Sequence, residues 1–188
     1  MTDLLEIVNE TDIADCVAML EGLVELSPWV VRRAMAARPF ASPVAVADAL
    51  ARAIRNAPHK DQLTLIRAHP DLAGQAARAG SMTEESNSEQ ARLGLLDLSP
   101  WDLGRLEALN TAYRARFCMP FILALYRLPD LAAVLATFEA RLGNSPETEH
   151  DNALEEIALV VRNRTLNFFA AGPDHSAPAS ASPSPSGA

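Results

Sequence analysis

Ser27-Pro28, Ser42-Pro43 and Ser99-Pro100 constrain this chain most strongly, because each pair spells the start of a helix. A serine hydroxyl can accept from the open N–H groups of a first helical turn. A proline at the first helical position brings its φ preset and has no N–H to leave unpaired. Apolar residues then recur at helical spacing. The first pair opens Trp29 to Met35, expected to run to about Ala37 before Pro39 stops it. The second carries Val44, Ala47, Leu50, Ala51 and Ile54 on one stripe, and the third Leu103, Leu106, Leu109, Ala112 and Tyr113. Thr11 or Asp12 can cap a helix holding Ile13, Val17 and Leu20. A short helix over residues 60–67 carries Leu63, Leu65 and Ile66, and Leu131, Leu135 and Phe138 form a stripe ending near Gly143-Asn144. A last helix, Glu147 to Phe169, holds Leu154, Ile157, Val161, Leu166 and Phe168. No alternating runs flank a hairpin turn. The expected fold is all-α, a single compact domain of about eight helices.

The 188 residues suit one domain, and the 49% hydrophobic content, led by Ala and Leu, favours helix. From Gly172 to Ala188 the chain is rich in Pro, Ser, Ala and Gly, so residues 1–171 are the expected folded domain and 172–188 a disordered tail. A net charge of −8 argues against nucleic acid or an anionic membrane as partner. No apolar run approaches the ~20 residues that span a bilayer, and Met1-Thr2-Asp3-Leu4 does not read as a signal peptide. A cytoplasmic location is expected. Cys16 and Cys118 form no metal pattern, and each reads as a small buried hydrophobe. Zinc-helix, phosphate-loop and nucleophile-elbow motifs are missing, so no metal is expected.

Four places could carry chemistry. Pro70 forces His69 out of helical geometry, which puts an imidazole at a helix C-terminus, where the dipole favours its protonated form and suits a general acid. The alternative is a histidine that only caps the helix. In Ser86-Asn87-Ser88-Glu89-Gln90, Ser86 and Glu89 have the spacing of a capping box. The same residues could instead offer N–H groups, an acceptor and an amide to a polar ring. Around Met119-Pro120-Phe121-Ile122-Leu123-Ala124-Leu125 the side chains read as core, while Pro120 leaves backbone carbonyls free. Arg164 stands one turn from Val160 and Val161 and two from Ile157, near a buried face. Glu149-His150-Asp151 reads as a solvated turn, and His59 and His175 sit in polar, loop-like contexts.

The order of these pieces resembles one family. Trp29 with Ala37-Arg38-Pro39-Phe40 is followed by His69-Pro70-Asp71-Leu72-Ala73-Gly74 and by Ser86-x-x-Glu89-Gln90. Then come Asn110, Tyr113 and Phe117, Pro120-Phe121-Ile122, Arg141-Leu142-x-Asn144, and Ala153-Leu154-x-Glu156-Ile157 leading to Arg164. Over residues 10–170 the chain resembles the 2-oxo-4-hydroxy-4-carboxy-5-ureidoimidazoline (OHCU) decarboxylases, which form (S)-allantoin at the end of urate breakdown. The resemblance implies an all-helical homodimer that uses neither metal nor organic cofactor. It implies His69 as acid/base, with Glu89 beside it. The substrate would be held by Pro70, Ser86, Asn87, Ser88, Glu89, Gln90, Arg164 and the backbone of Phe121, Ile122, Leu123, Ala124 and Leu125. Two departures stand out: Cys118-Met119 where a Gly-Phe pair is usual, and Arg164-Thr165 where Arg-Leu is common. The alternatives are a helical protein-interaction module and a family relative with an altered substrate.

Overall fold

The computed structural model describes residues 3–74 and 84–172; the expected tail, apart from Gly172, lies outside them. These residues form nine helices and no strand, as an all-α chain should. In chain order they are α1 (Leu4–Glu10), α2 (Ile13–Leu20), α3 (Pro28–Met35), α4 (Pro43–Arg55), α5 (His59–Ala68), α6 (Glu84–Arg92), α7 (Pro100–Phe117), α8 (Leu131–Arg141) and α9 (Pro146–Ala171). Short 3-10 turns occupy Glu21–Leu23 and Leu125–Arg127.

The serine caps form at Ser42, which accepts from the Ala45 N–H, and at Ser99, which accepts from Asp102. A further pair, Ser145-Pro146, opens α9 in the same way. Ser27 precedes α3 but its hydroxyl makes no cap bond. Helix α1, not among the expected helices, buries Leu4 and Val8 one turn apart and is capped by Asp3.

Helix α4 lies between α3 and α9. Its alanines let both neighbours approach, so Val46, Ala47, Ala49, Leu50, Ala51, Ala53 and Ile54 are all buried. That double cover explains why the expected single stripe fails at Val44, which is exposed, while Val46 is buried. On α7 the stripe is Leu106, Leu109, Asn110 and Tyr113, with Ala112 on the solvent side.

Between α7 and α8 the chain from Cys118 to Ala124 has no helix, yet Met119 to Ala124 are buried. Buried backbone needs hydrogen-bond partners, and charged side chains supply several of them. Arg67 Nε donates to the Cys118 carbonyl at 3.2 Å, Arg141 Nη1 to Ile122 at 2.9 Å, and Arg92 to Leu125. The Ala124 N–H donates to Glu156 at 2.7 Å. Cys118 itself takes the left-handed conformation that ends α7 (φ 56°) and is exposed, contrary to the expected buried hydrophobe; only Cys16 is buried. The chain turns at this left-handed residue, and it is the next one, Met119, that enters the core.

Arg141 is held in turn by Glu149, which is 0% exposed. Its carboxylate accepts from Arg141 Nε at 3.0 Å and Nη2 at 2.9 Å, from Asn144 at 2.7 Å, from Asn152 at 2.8 Å and from the Tyr113 hydroxyl. Tyr113 meets Phe121 and Phe138 edge-on, those two rings stack at 3.8 Å, and Arg141 covers Phe121. Glu149-His150-Asp151 is therefore helix and not a solvated turn. Tertiary partners on α7 and α8 draw Glu149 inward.

Burial pushes the Glu149 carboxyl up, but the bonds from Arg141, Tyr113, Asn144 and Asn152 outweigh it and hold the group below its usual range. Its stabilisation is complete above the unfolded-state value of about 4.3 and drains away as pH falls through the native value. Glu149→Ala should destabilise by about 3–5 kcal/mol, since it leaves Arg141 buried without a counter-ion. Thermal melts from pH 3 to pH 7 check both points. The wild type should lose its Glu149-dependent stability at the acid end, and the variant should lack that component.

Candidate active site

Helix α5 delivers His69. The residue leaves the helix at φ −74° and ψ 140°, as Pro70 requires. Its Nδ1 lies 2.9 Å from the Leu65 carbonyl, which can only accept. In the neutral ring Nδ1 therefore carries the proton and Nε2 the lone pair. Burial lowers the His69 pKa from 6.5 to about 4; the Leu65 bond and Glu25 push the other way, and Arg164 adds to the fall. Desolvation thus reverses the effect expected from the helix dipole, and at neutral pH the imidazole is uncharged.

The Pro70–Gly74 stretch behind it is tied down from three sides. Arg114 Nε meets both Asp71 oxygens at 3.0 and 2.9 Å, and Asn110 donates to the Leu72 carbonyl at 2.9 Å. The Ala73 N–H, on a left-handed residue (φ 47°), donates to Gln90 Oε1 at 2.8 Å. At Gly74 a Cβ would sit 2.7 Å from that of Asp71, so only glycine fits unshifted.

Ser86 lies within helix α6 and not at its cap, so the Ser86–Glu89 capping box does not form. The Ser86 hydroxyl instead donates to Glu25 at 2.7 Å and accepts from Arg164 Nη2 at 3.1 Å. Glu89 faces Arg164 as a fork: Nε to Oε1 at 2.8 Å and Nη2 to Oε2 at 2.7 Å. A buried guanidinium outbids neutral N–H groups for both side chains.

A cavity of about 40 Å³ gathers His69, Pro70, Ser86, Glu89, Gln90 and Arg164 with Phe121, Ile122, Leu123 and Leu125. Three expected residues are not in it. Ala124 is turned to Glu156, Asn87 is exposed, and Ser88 lines a second hollow of about 470 Å³ bordered also by Asn163, Asn167 and Phe168. Glu89 and Arg164 line both spaces, so their ion pair is a shared wall. Leu72 and Val160, named in the sequence only as parts of a motif and a buried face, also line it, and Glu25, which Ser86 bonds, carried no expectation at all. The signal for Glu25 was a lone carboxylate in the apolar run Leu23-Val24-Glu25-Leu26. Among the described residues no group of three or more His, Cys, Asp or Glu could hold a metal.

An all-helical shell around a neutral imidazole, with an arginine able to take a carboxylate, is equipment for proton-transfer chemistry on a small anion. The profile of the OHCU decarboxylase family matches residues 9–166, and the chain belongs to that family. It is 37% identical to the 2-oxo-4-hydroxy-4-carboxy-5-ureidoimidazoline decarboxylase of Haloferax volcanii over 88% of this chain and 95% of that one. Identity to the mouse enzyme of the same name is 35%, covering 87% and 92%. Among solved structures, an (S)-allantoin synthase superposes with a TM-score of 0.66 at 26% identity, covering 87% of this chain and 53% of the other. An OHCU decarboxylase crystallised in the presence of (S)-allantoin gives a TM-score of 0.62 at 18% identity, over 85% and 99%, a likeness of fold.

The depressed His69 value has a direct check. Nitrogen-15 imidazole shifts should report a neutral, Nδ1-protonated ring from neutral pH down to about pH 5, titrating only near the value of about 4. A ring that titrates near 6.5 would show that water reaches His69 freely.

Proposed function

We propose that this chain removes CO2 from 2-oxo-4-hydroxy-4-carboxy-5-ureidoimidazoline to give (S)-allantoin, the last step of urate degradation to allantoin. The observation that carries the reading is the single cavity shared by His69, Glu89, Gln90, Ser86 and Arg164 in a chain of this family.

The chemistry suits these residue types. When the bond to the carboxylate breaks, its electron pair forms a double bond between the hydroxyl-bearing carbon and its ring neighbour. The electrons of the adjacent imine move onto nitrogen, which takes a proton from solvent. The ring is its own electron sink, so the proposed reaction needs no cofactor. Neutral His69 then acts as base at Nε2, taking the enol proton, and returns it to the neighbouring carbon on one face, a transfer worth about 10²–10⁴-fold. Delivery from one side sets the (S) configuration. Arg164 holds the carboxylate before it leaves, and Glu89 and Gln90 face the ureido and carbonyl groups.

Small-molecule pockets typically measure about 300–1,000 Å³, so the substrate does not fit the 40 Å³ chamber as it stands. Entry requires Glu89 and Arg164 to part, which would join the chamber to the hollow of about 470 Å³ behind them. The substrate carboxylate takes the place that Glu89 holds on Arg164. This reading includes a cytoplasmic homodimer. Its support is that no helix among the described residues is long and apolar enough to cross a membrane, and that Trp101 stands 80% exposed on α7.

His69→Asn keeps a polar side chain but cannot pass a proton near neutral pH. Turnover of freshly generated substrate should fall about 10²–10⁴-fold, a barrier rise of roughly 3–5.5 kcal/mol, with the fold intact. Near wild-type formation of (S)-allantoin by the folded variant, followed by circular dichroism, would reduce His69 to a helix cap. Dialysis against a strong chelator should leave wild-type turnover unchanged; a loss restored by zinc or iron would refute the metal-free scheme.

A further inference from the structure

Glu25 has no part in the chemistry above, yet it lies at the centre of the charges that line the site. It follows the 3-10 turn at Glu21–Leu23 and is only 3% exposed. Its Oε2 accepts from Ser86 at 2.7 Å and lies 3.6 Å from Arg164 Nη1. Next to it Leu26 is left-handed at φ 44°, with its side chain in water. A leucine held in that conformation is strained, and the turn it makes accompanies a carboxylate directed into the interior.

Arg164 thus stands between two carboxylates that differ in kind. Glu89 occupies the Nε/Nη2 edge and its side chain is 22% exposed, whereas Glu25 faces Nη1 and is enclosed. A substrate carboxylate can reach only the first of these positions. If Glu89 were the sole counter-ion, its departure would leave a guanidinium that is 6% exposed without a charged partner, and arginine would tend to follow it. With Glu25 in place, one carboxylate replaces another on the outer edge while the cation stays partnered on the inner one. We propose that Glu25 is a positioning residue: it anchors Arg164, directly and through Ser86, so that the outer edge can pass from Glu89 to the substrate. This rests on the decarboxylase reading above.

The test is steady-state kinetics of Glu25→Gln with freshly generated substrate, alongside a melt. Glutamine keeps an acceptor for the Ser86 hydroxyl and loses the charge. Arg164 then binds Glu89 more tightly, and KM should rise about tenfold or more, with most of the loss falling on KM and not on kcat. A role confined to folding would lower the melting temperature and the active fraction and leave KM unmoved. A folded Glu25→Gln protein with wild-type KM overturns the proposal. If that variant does not fold, Glu25→Asp is measured instead: its charge is retained but withdrawn from Arg164, KM should still rise, and an unchanged KM again overturns the proposal. Failure of the wild-type chain to turn over the substrate would overturn the functional reading itself, a result distinct from active protein whose KM ignores Glu25.

Discussion

A carboxylate with no access to water sets the path of the chain beside the site. Glu149 accepts from groups on α7, α8 and its own helix, and so fixes where Arg141 points. Arg141 in turn fixes the Ile122 carbonyl and covers the Phe121 ring. One buried ion pair therefore fixes the middle of a stretch that has no helix to shape it, while Arg67, Arg92 and Glu156 tie its two ends. That stretch forms the apolar wall opposite His69. Buried ion pairs are weak sources of net stability, but removing one partner is costly. That asymmetry makes Glu149 a device for specifying one conformation.

The active-site region repeats the arrangement on a smaller scale. Each irregular segment is tied by side chains from distant helices, not by neighbours in sequence. Gln90 supports left-handed Ala73, and Asn110 and Arg114 fix the residues before it. The reactive groups thus stand on backbone with little freedom, the condition for proton delivery to one face of a ring.

Local signals were legible in the sequence and tertiary ones were not. Serine-proline pairs mark helix starts because capping involves only the next three residues, and Ser42 and Ser99 behave accordingly. Ser145-Pro146 carries the same signal, and the cap forms there too. Glu149 reads as surface by composition, and the Tyr113 hydroxyl, 36 positions away, together with Arg141 on the preceding helix makes it core. Ser86 has the spacing of a cap but faces a buried arginine. At His69 the position was readable from Pro70, while the charge state was not. The helix dipole is a local quantity worth about 0.3–1 kcal/mol, and desolvation, which depends on the whole fold, exceeds it.

The shared Glu89–Arg164 wall bears on how a catalytic cycle closes. Under the proposed reaction the incoming molecule is an anion, and the ring that remains after CO2 leaves is neutral. A neutral ureide cannot compete with a carboxylate for a guanidinium. Once the bond has broken, Glu89 regains its forked contact with Arg164, and the chamber shrinks around a product it no longer accommodates. Loss of charge from the ligand would thus be the event that clears the site, making product expulsion a by-product of the chemistry and setting the direction of the cycle without a moving domain.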